Sequence, residues 1–149
     1  MDVIIREARP ADRTQIARIF VDCRRTDFSW LPVEAMSLDD FYRSSDDERM
    51  FVAVTADGLI CGFLSIWEPG RFIHFLFIHP QFQGLHIANR LVESLFAMYR
   101  QPYRLKCLDK NLRALKYYRR EGWLEVGRGT DKDGGHRVLE LDHGPDQGC

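Results

Sequence analysis

Apolar positions along this chain recur in two periods. Val3-Ile4-Ile5 reads as a short strand. From Pro10-Ala11-Asp12 the pattern turns helical: Ile16, Ile19, Phe20 and Cys23 fall at i, i+3, i+4 and i+7 and form one apolar stripe. Phe28 to Pro32 reads as an aromatic loop and Leu38 to Ser44 as a short second helix. Phe51-Val52-Ala53-Val54 and Leu59 to Trp67 read as strands joined at Ala56-Asp57-Gly58, a hairpin signal. Glu68-Pro69-Gly70 is a turn into a third strand, Arg71 to Ile78. His79-Pro80 closes that strand, since proline has no N–H for a central ladder. A helix follows from about Gly84 to Tyr99, with Ala88, Leu91, Val92, Leu95, Phe96 and Tyr99 as its buried stripe. Tyr103 to Leu108 reads as a strand, and Asn111 to Glu121 as a helix stopped by Gly122. Trp123 to Arg128 and His136 to Leu141 are strands around a polar Asp131–Gly135 turn, and the tail from His143 reads as frayed. The order is strand, two helices, three strands, helix, strand, helix, two strands. Within this α/β pattern, residues 71–78, 84–99 and 103–108 form a parallel crossover unit.

Composition narrows the class. A chain of 149 residues, 45% hydrophobic and 29% charged, can bury a core without staples, so one domain over 1–149 is expected. Cys23, Cys61, Cys107 and Cys149 stand far apart with no C-x-x-C pair. They read as small hydrophobes in a reducing cytoplasm, with no metal site. Met1 to Arg6 has no signal-peptide apolar region. Phe72 to Ala88 lacks acidic and basic residues, but three histidines, two glutamines, Pro80 and Gly84 make it too polar and broken for a bilayer span. A cytoplasmic protein without a membrane partner is expected.

Charge excludes one more class and then qualifies the exclusion. Net charge is −1, which gives no general footprint for nucleic acid. The average hides two regions: seven acids against two bases between residues 26 and 50, and eight bases against one acid between 100 and 120. The basic stretch carries no RNA or DNA motif, so nucleic acid is not an expected partner.

The junction Phe77-Ile78-His79-Pro80-Gln81-Phe82-Gln83-Gly84-Leu85-His86-Ile87-Ala88 is the most informative in the chain. A strand ends, a glycine-containing turn follows and a helix begins. Unpaired N–H groups at such a helix start can hold a diphosphate without a charged side chain. One strand further on stands Asn111-x-x-Ala114-x-x-Tyr117-Tyr118-x-x-x-Gly122-Trp123. Together the two segments resemble the GNAT superfamily of acetyl-CoA-dependent N-acetyltransferases. The family turn is roughly V-x-P-x-[YF]-[QR]-G-x-G-x-[GA], and its later motif N-x-x-A-x-x-x-Y-x-x-x-G-F is matched by Asn111, Ala114, Tyr118, Gly122 and Trp123. One position departs: His86 stands where the family turn has its central glycine.

The resemblance implies a mixed, mostly antiparallel sheet with a splayed parallel strand pair and helices on both faces. It also implies that the pantetheine arm of acetyl-CoA adds to the splayed strand edge through Leu76, Phe77 and Ile78. The pyrophosphate would rest on the N–H groups of Gly84, Leu85, His86, Ile87, Ala88 and Asn89, with Gln83 beside them and Asn111 also touching the cofactor. Homodimers are common among similar proteins.

Acetyl transfer to an amine needs a neutral amine, a donor for the oxyanion and a proton for the departing thiolate. A main-chain N–H near Phe77 or Ile78 would serve the oxyanion. Tyr118 matches the family tyrosine that protonates the thiolate. For the base, some members carry a glutamate where this chain has Lys106. His74 is the leading candidate, since an ordinary imidazole titrates near pH ~6.5. Glu68 is a second, and a chain of waters a third. The acceptor would be a small-molecule or peptide amine held by the loop with Trp30, the second helix and the last hairpin. His136 and Arg137 read as solvated hairpin residues. The competing reading is a non-catalytic acyl-CoA-binding sensor.

Overall fold

The computed structural model describes residues 2–27, 48–84, 86–131 and 134–142. The aromatic loop, the expected helix over Leu38–Ser44, Leu85 and the tail lie outside these residues. The elements are β1 (Val3–Glu7), α1 (Arg13–Asp27), β2 (Arg49–Thr55), β3 (Ile60–Trp67), β4 (Phe72–Ile78), α2 (Ile87–Glu93), β5 (Tyr103–Leu108), α3 (Leu112–Arg120), β6 (Leu124–Asp131) and β7 (Gly134–Leu141). The seven strands form one sheet in the order β1-β2-β3-β4-β5-β7-β6. Every neighbouring pair is antiparallel except β4 and β5, which run parallel across the α2 crossover. No helix among the described residues is long and apolar enough to cross a membrane.

Two apolar layers cover the sheet. Ile16, Phe20 and Cys23 of α1 pack on Val52, Phe63 and Phe75. Leu91 and Leu95 pack on the other face with Leu64, Ile73, Leu105, Tyr118 and Leu139. The 3.6-residue stripe read from α1 is therefore the buried one. α1 is anchored at its start by Asp12, whose Oδ2 accepts from Arg9 N–H and from Arg6 Nη1, each at 2.7 Å. The hydrogen-bonded Arg6 guanidinium holds the Asp12 carboxyl below the usual carboxylate range, helped by the Arg9 N–H.

Three expectations are corrected. The helix expected over 84–99 is α-helical only over Ile87–Glu93 and tightens into a 3-10 turn at Ser94–Ala97. Ser94 Oγ donates to the Leu91 carbonyl at 2.6 Å, a local bond that competes with the helix ladder. Tighter winding rotates Phe96 out of the stripe, leaving it 41% exposed and stacked on Tyr103. The final hairpin is longer than its apolar core, because β6 and β7 pair outward as far as Asp131↔Gly134. His136 and Arg137 are not solvated. They are largely covered, with Arg137 Nε donating to Asp109 Oδ1 at 3.2 Å and His136 Nδ1 lying 3.5 Å from Asp131 Oδ2.

Candidate active site

The site begins with a misfit in strand register. Across β3 and β4, Ser65 faces Phe75 but Ile66 faces Ile73, so His74 is an extra residue in β4. Such a bulge bends its strand. β4 pairs with β5 only at Phe72↔Arg104 and Ile73↔Leu105, immediately before the bulge. Beyond it the two strands diverge, while β5 stays paired with β7 along its length. The gap is a cleft of about 650 Å³. Gly62 keeps β3 tight behind the open end of β4, since a Cβ there would sit 2.6 Å from Ile78 Cδ1 and 3.1 Å from the Phe77 carbonyl oxygen.

The alternation of strand hydrogen bonds decides which main-chain groups face the gap. His79 N–H donates to the Cys61 carbonyl at 2.8 Å. Stepping back in twos, Phe77 turns its N–H and C=O to β3, and Leu76 and Ile78 turn theirs to the open edge. The Ile78 carbonyl is already used, accepting from Gln83 Nε2 at 3.0 Å and from Cys23 Sγ at 3.1 Å. The expected triplet therefore divides: Leu76 and Ile78 present main-chain donors to the cleft, and Phe77 presents its side chain on the α1 side.

The glycine-containing turn closes one end. Gly84 has φ +85° and His86, the residue before α2, has φ +62°. The family glycine is thus replaced by a residue held in left-handed backbone, where a Cβ costs roughly 1–2 kcal/mol. The exposed His86 side chain lines the cleft together with Gln83, Gly84, Ile87 and Ala88. Asn89 does not line it. Its side chain donates to Glu121 Oε1 at 2.8 Å and accepts from the Tyr117 hydroxyl, tying α2 to α3. Asn111 lines the cleft while capping α3, its Oδ1 accepting from Ala114 N–H at 3.3 Å.

Tyr118 comes from α3 into the same space, between Tyr117 and Trp123, with edge-on ring contacts at 5.3 and 5.5 Å. No hydrogen bond joins its hydroxyl to another described residue. Burial pushes that hydroxyl far above the ordinary phenol range, with Cys107 and Tyr117 adding to the effect, so it stays protonated at neutral pH. Burial likewise pushes the Cys107 thiol, also on the cleft wall, up to about 12. A neutral thiol is a poor nucleophile.

On the α1 side of the bulge His74 Nδ1 lies 2.6 Å from Glu48 Oε2, and its ring stacks on Phe75 at 4.0 Å. Ser65 Oγ donates to the other Glu48 oxygen. Sequence reasoning missed both partners. Glu48 closes an acidic stretch that looks solvated, and only the sheet order brings β2, β3 and β4 side by side. Of the other base candidates, Glu68 is half-exposed beside Arg49 and does not line the cleft. Lys106 lines it but pairs with Asp131 at 2.5 Å. Arg113, Lys116 and Arg120 of α3 add cationic side chains to the wall. Among the described residues no group of three His, Cys, Asp or Glu side chains is placed to hold a metal.

A mixed sheet that opens between its parallel strands, with a turn-and-helix at the mouth, defines an acyl-CoA-type acetyltransferase fold. Residues 13–123 match the model of the acetyltransferase (GNAT) family, and the chain belongs to that family. Solved structures with this fold include apo YjaB from Escherichia coli, 23% identical, covering 94% of this chain and 97% of that one with a TM-score of 0.80. PaiA N-acetyltransferase from Thermoplasma acidophilum, solved with coenzyme A, is 15% identical over 95% of this chain and 100% of its own, with a TM-score of 0.75. A spermidine N-acetyltransferase SpeG chimera of Vibrio cholerae and hSSAT is 17% identical over 95% of each chain, with a TM-score of 0.69. No curated protein matches the chain at a significant level.

Proposed function

We propose that this protein transfers an acetyl group from acetyl-CoA to a primary amine by direct attack while both substrates are bound. The observation that carries the reading is the cleft itself. An unpaired strand edge, an unbonded tyrosine hydroxyl and a carboxylate-held histidine face one space. The PaiA enzyme, of similar fold, was solved with coenzyme A, and the SpeG chimera is a spermidine N-acetyltransferase, which supports an amine acceptor.

Acetyl-CoA supplies the thioester carbonyl and the thiolate leaving group. Its pantetheine amides pair as an added strand would, with the Ile78 N–H and the Leu76 carbonyl as main-chain partners. The pyrophosphate belongs at the N–H groups around Gly84 to Ala88, with Asn111 and the α3 cations beside it. His74 accepts a proton from the amine and passes it to solvent. The amine nitrogen then bonds to the carbonyl carbon. The Leu76 N–H, on the open edge and nearer His74, donates to the oxygen on which charge builds. As the carbon–sulfur bond breaks, the electron pair stays on sulfur and takes the Tyr118 proton, while the nitrogen, cationic since the attack, loses its extra proton to solvent and solvent returns one to the Tyr118 oxygen.

The test is to incubate the protein with acetyl-CoA and a panel of amines and to follow free thiol. Release that depends on the amine supports transfer. Tight acetyl-CoA binding without release against any amine points instead to a sensor, and no binding overturns both readings.

A further inference from the structure

We propose that Glu48 is a positioning residue for transfer, setting the tautomer of His74 so that its cleft-facing nitrogen is the proton acceptor. The inference rests on the acetyltransferase reading above. Glu48 immediately precedes β2, and its side chain crosses β3 to reach β4. That side chain is only 8% exposed. A carboxylate so covered is tolerated only when its oxygens are bonded. Both are: one accepts from Ser65 Oγ, the other from His74 Nδ1 at 2.6 Å. Ser65 is fully buried, one of two buried polar residues among those described, and its hydroxyl is spent on this carboxylate.

Direction follows from the donor inventory. An ionised carboxylate only accepts, so the proton on the neutral imidazole sits on Nδ1 and Nε2 keeps its lone pair. The ring cannot turn away without leaving both Glu48 and its stack on Phe75. The bulge supplies the remaining constraint, since a residue outside the pleat register is re-aimed. When Nε2 takes a proton from the amine, Glu48 supplies the opposing charge at the far nitrogen. Apart from the histidines, the charged groups lining the cleft are cations, among them Arg24 from α1 and Lys106 from β5.

The decisive variant is Glu48→Gln. Ser65 keeps its donation to the amide oxygen, so the amide NH₂ faces Nδ1 and drives the proton to Nε2, removing the acceptor. The expected result is a kcat loss of about 10²-fold, the low end of general-base contributions, with the acetyl-CoA KM within about twofold of wild type. Glu48→Asp is expected to recover at least about tenfold of that loss. Glu48→Gln combined with His74→Ala should be no slower than His74→Ala alone, because the two act as one unit. A second readout is independent of turnover. Imidazole ¹H–¹⁵N correlation should show His74 protonated on Nδ1 in the wild type and on Nε2 in Glu48→Gln. A wild-type ring protonated on Nε2 overturns the proposal, even if Glu48→Gln does not fold. An unchanged kcat in folded Glu48→Gln, or additive losses in the double variant, also overturns it while leaving the transferase reading standing. No thiol release by the wild type overturns that reading and this inference together.

Discussion

Tyr118 and His86 each make a separate prediction. Tyr118 has no hydrogen-bond partner among the described residues, and its burial keeps the proton on oxygen. Tyr118→Phe removes only that oxygen. Steady-state kinetics should show kcat down by about 10²–10⁴-fold with the acetyl-CoA KM little changed, and the near-ultraviolet circular dichroism of the fold retained. His86 is a histidine at φ +62°. Giving it glycine relieves roughly 1–2 kcal/mol of backbone strain but adds roughly 0.5–1 kcal/mol of unfolded-chain entropy. The balance favours His86→Gly, with Tm raised by a few degrees, on the order of 2–4 °C per kcal/mol for a chain this long. A lowered Tm would show that the imidazole makes a contact worth more than its strain.

At the scale of elements, the sequence pattern was sufficient wherever one period held over a whole segment. The α1 stripe at Ile16, Ile19, Phe20 and Cys23, the β3 run and the β5 run all pack where alternation or 3.6-residue spacing puts them. Phe96 fails that rule because a local Ser94 bond tightens the last turn, an effect that apolar spacing does not encode. The glycine-containing turn and the Asn111–Trp123 motif located the cleft from sequence. Glu48 and Ser65 stayed hidden because they join His74 only through neighbouring strands, 26 and 9 residues away in the chain. The start of α1 shows what a local signal can hold. Asp12 is bonded by Arg6 and by the Arg9 N–H, and its folded carboxyl titrates below the unfolded value. The unfolded state therefore binds the extra proton first. This contribution is complete above the ordinary carboxylate pKa of ~3.9 and is lost as pH falls through the lowered value. Denaturant melts should show that Asp12→Asn loses stability near neutral pH and that its gap from wild type narrows in acid. A gap of constant size would show that the carboxylate charge is not what holds α1.

Across the whole molecule, a net charge of −1 describes no surface that a substrate meets. The α3 side of the cleft presents Arg113, Lys116 and Arg120, and a polyanionic cosubstrate entering there is attracted over about 10 Å at ~0.1 M salt. Acetyl-CoA affinity should weaken as salt rises, and Arg113→Ala with Lys116→Ala should weaken it further and flatten the salt dependence, as read by calorimetric titration. An affinity indifferent to salt would remove these cations from the binding account. The proposed route of transfer accords with the same cleft. Its one described thiol, Cys107, is pushed up to about 12 by burial, so it is not poised to carry an acetyl group. Direct transfer with both substrates bound is therefore the central claim, and its most direct measurement is the initial rate of thiol release as acetyl-CoA and amine are varied together. The account predicts double-reciprocal lines that intersect. Parallel lines, or no amine-dependent release at any concentration, would contradict it.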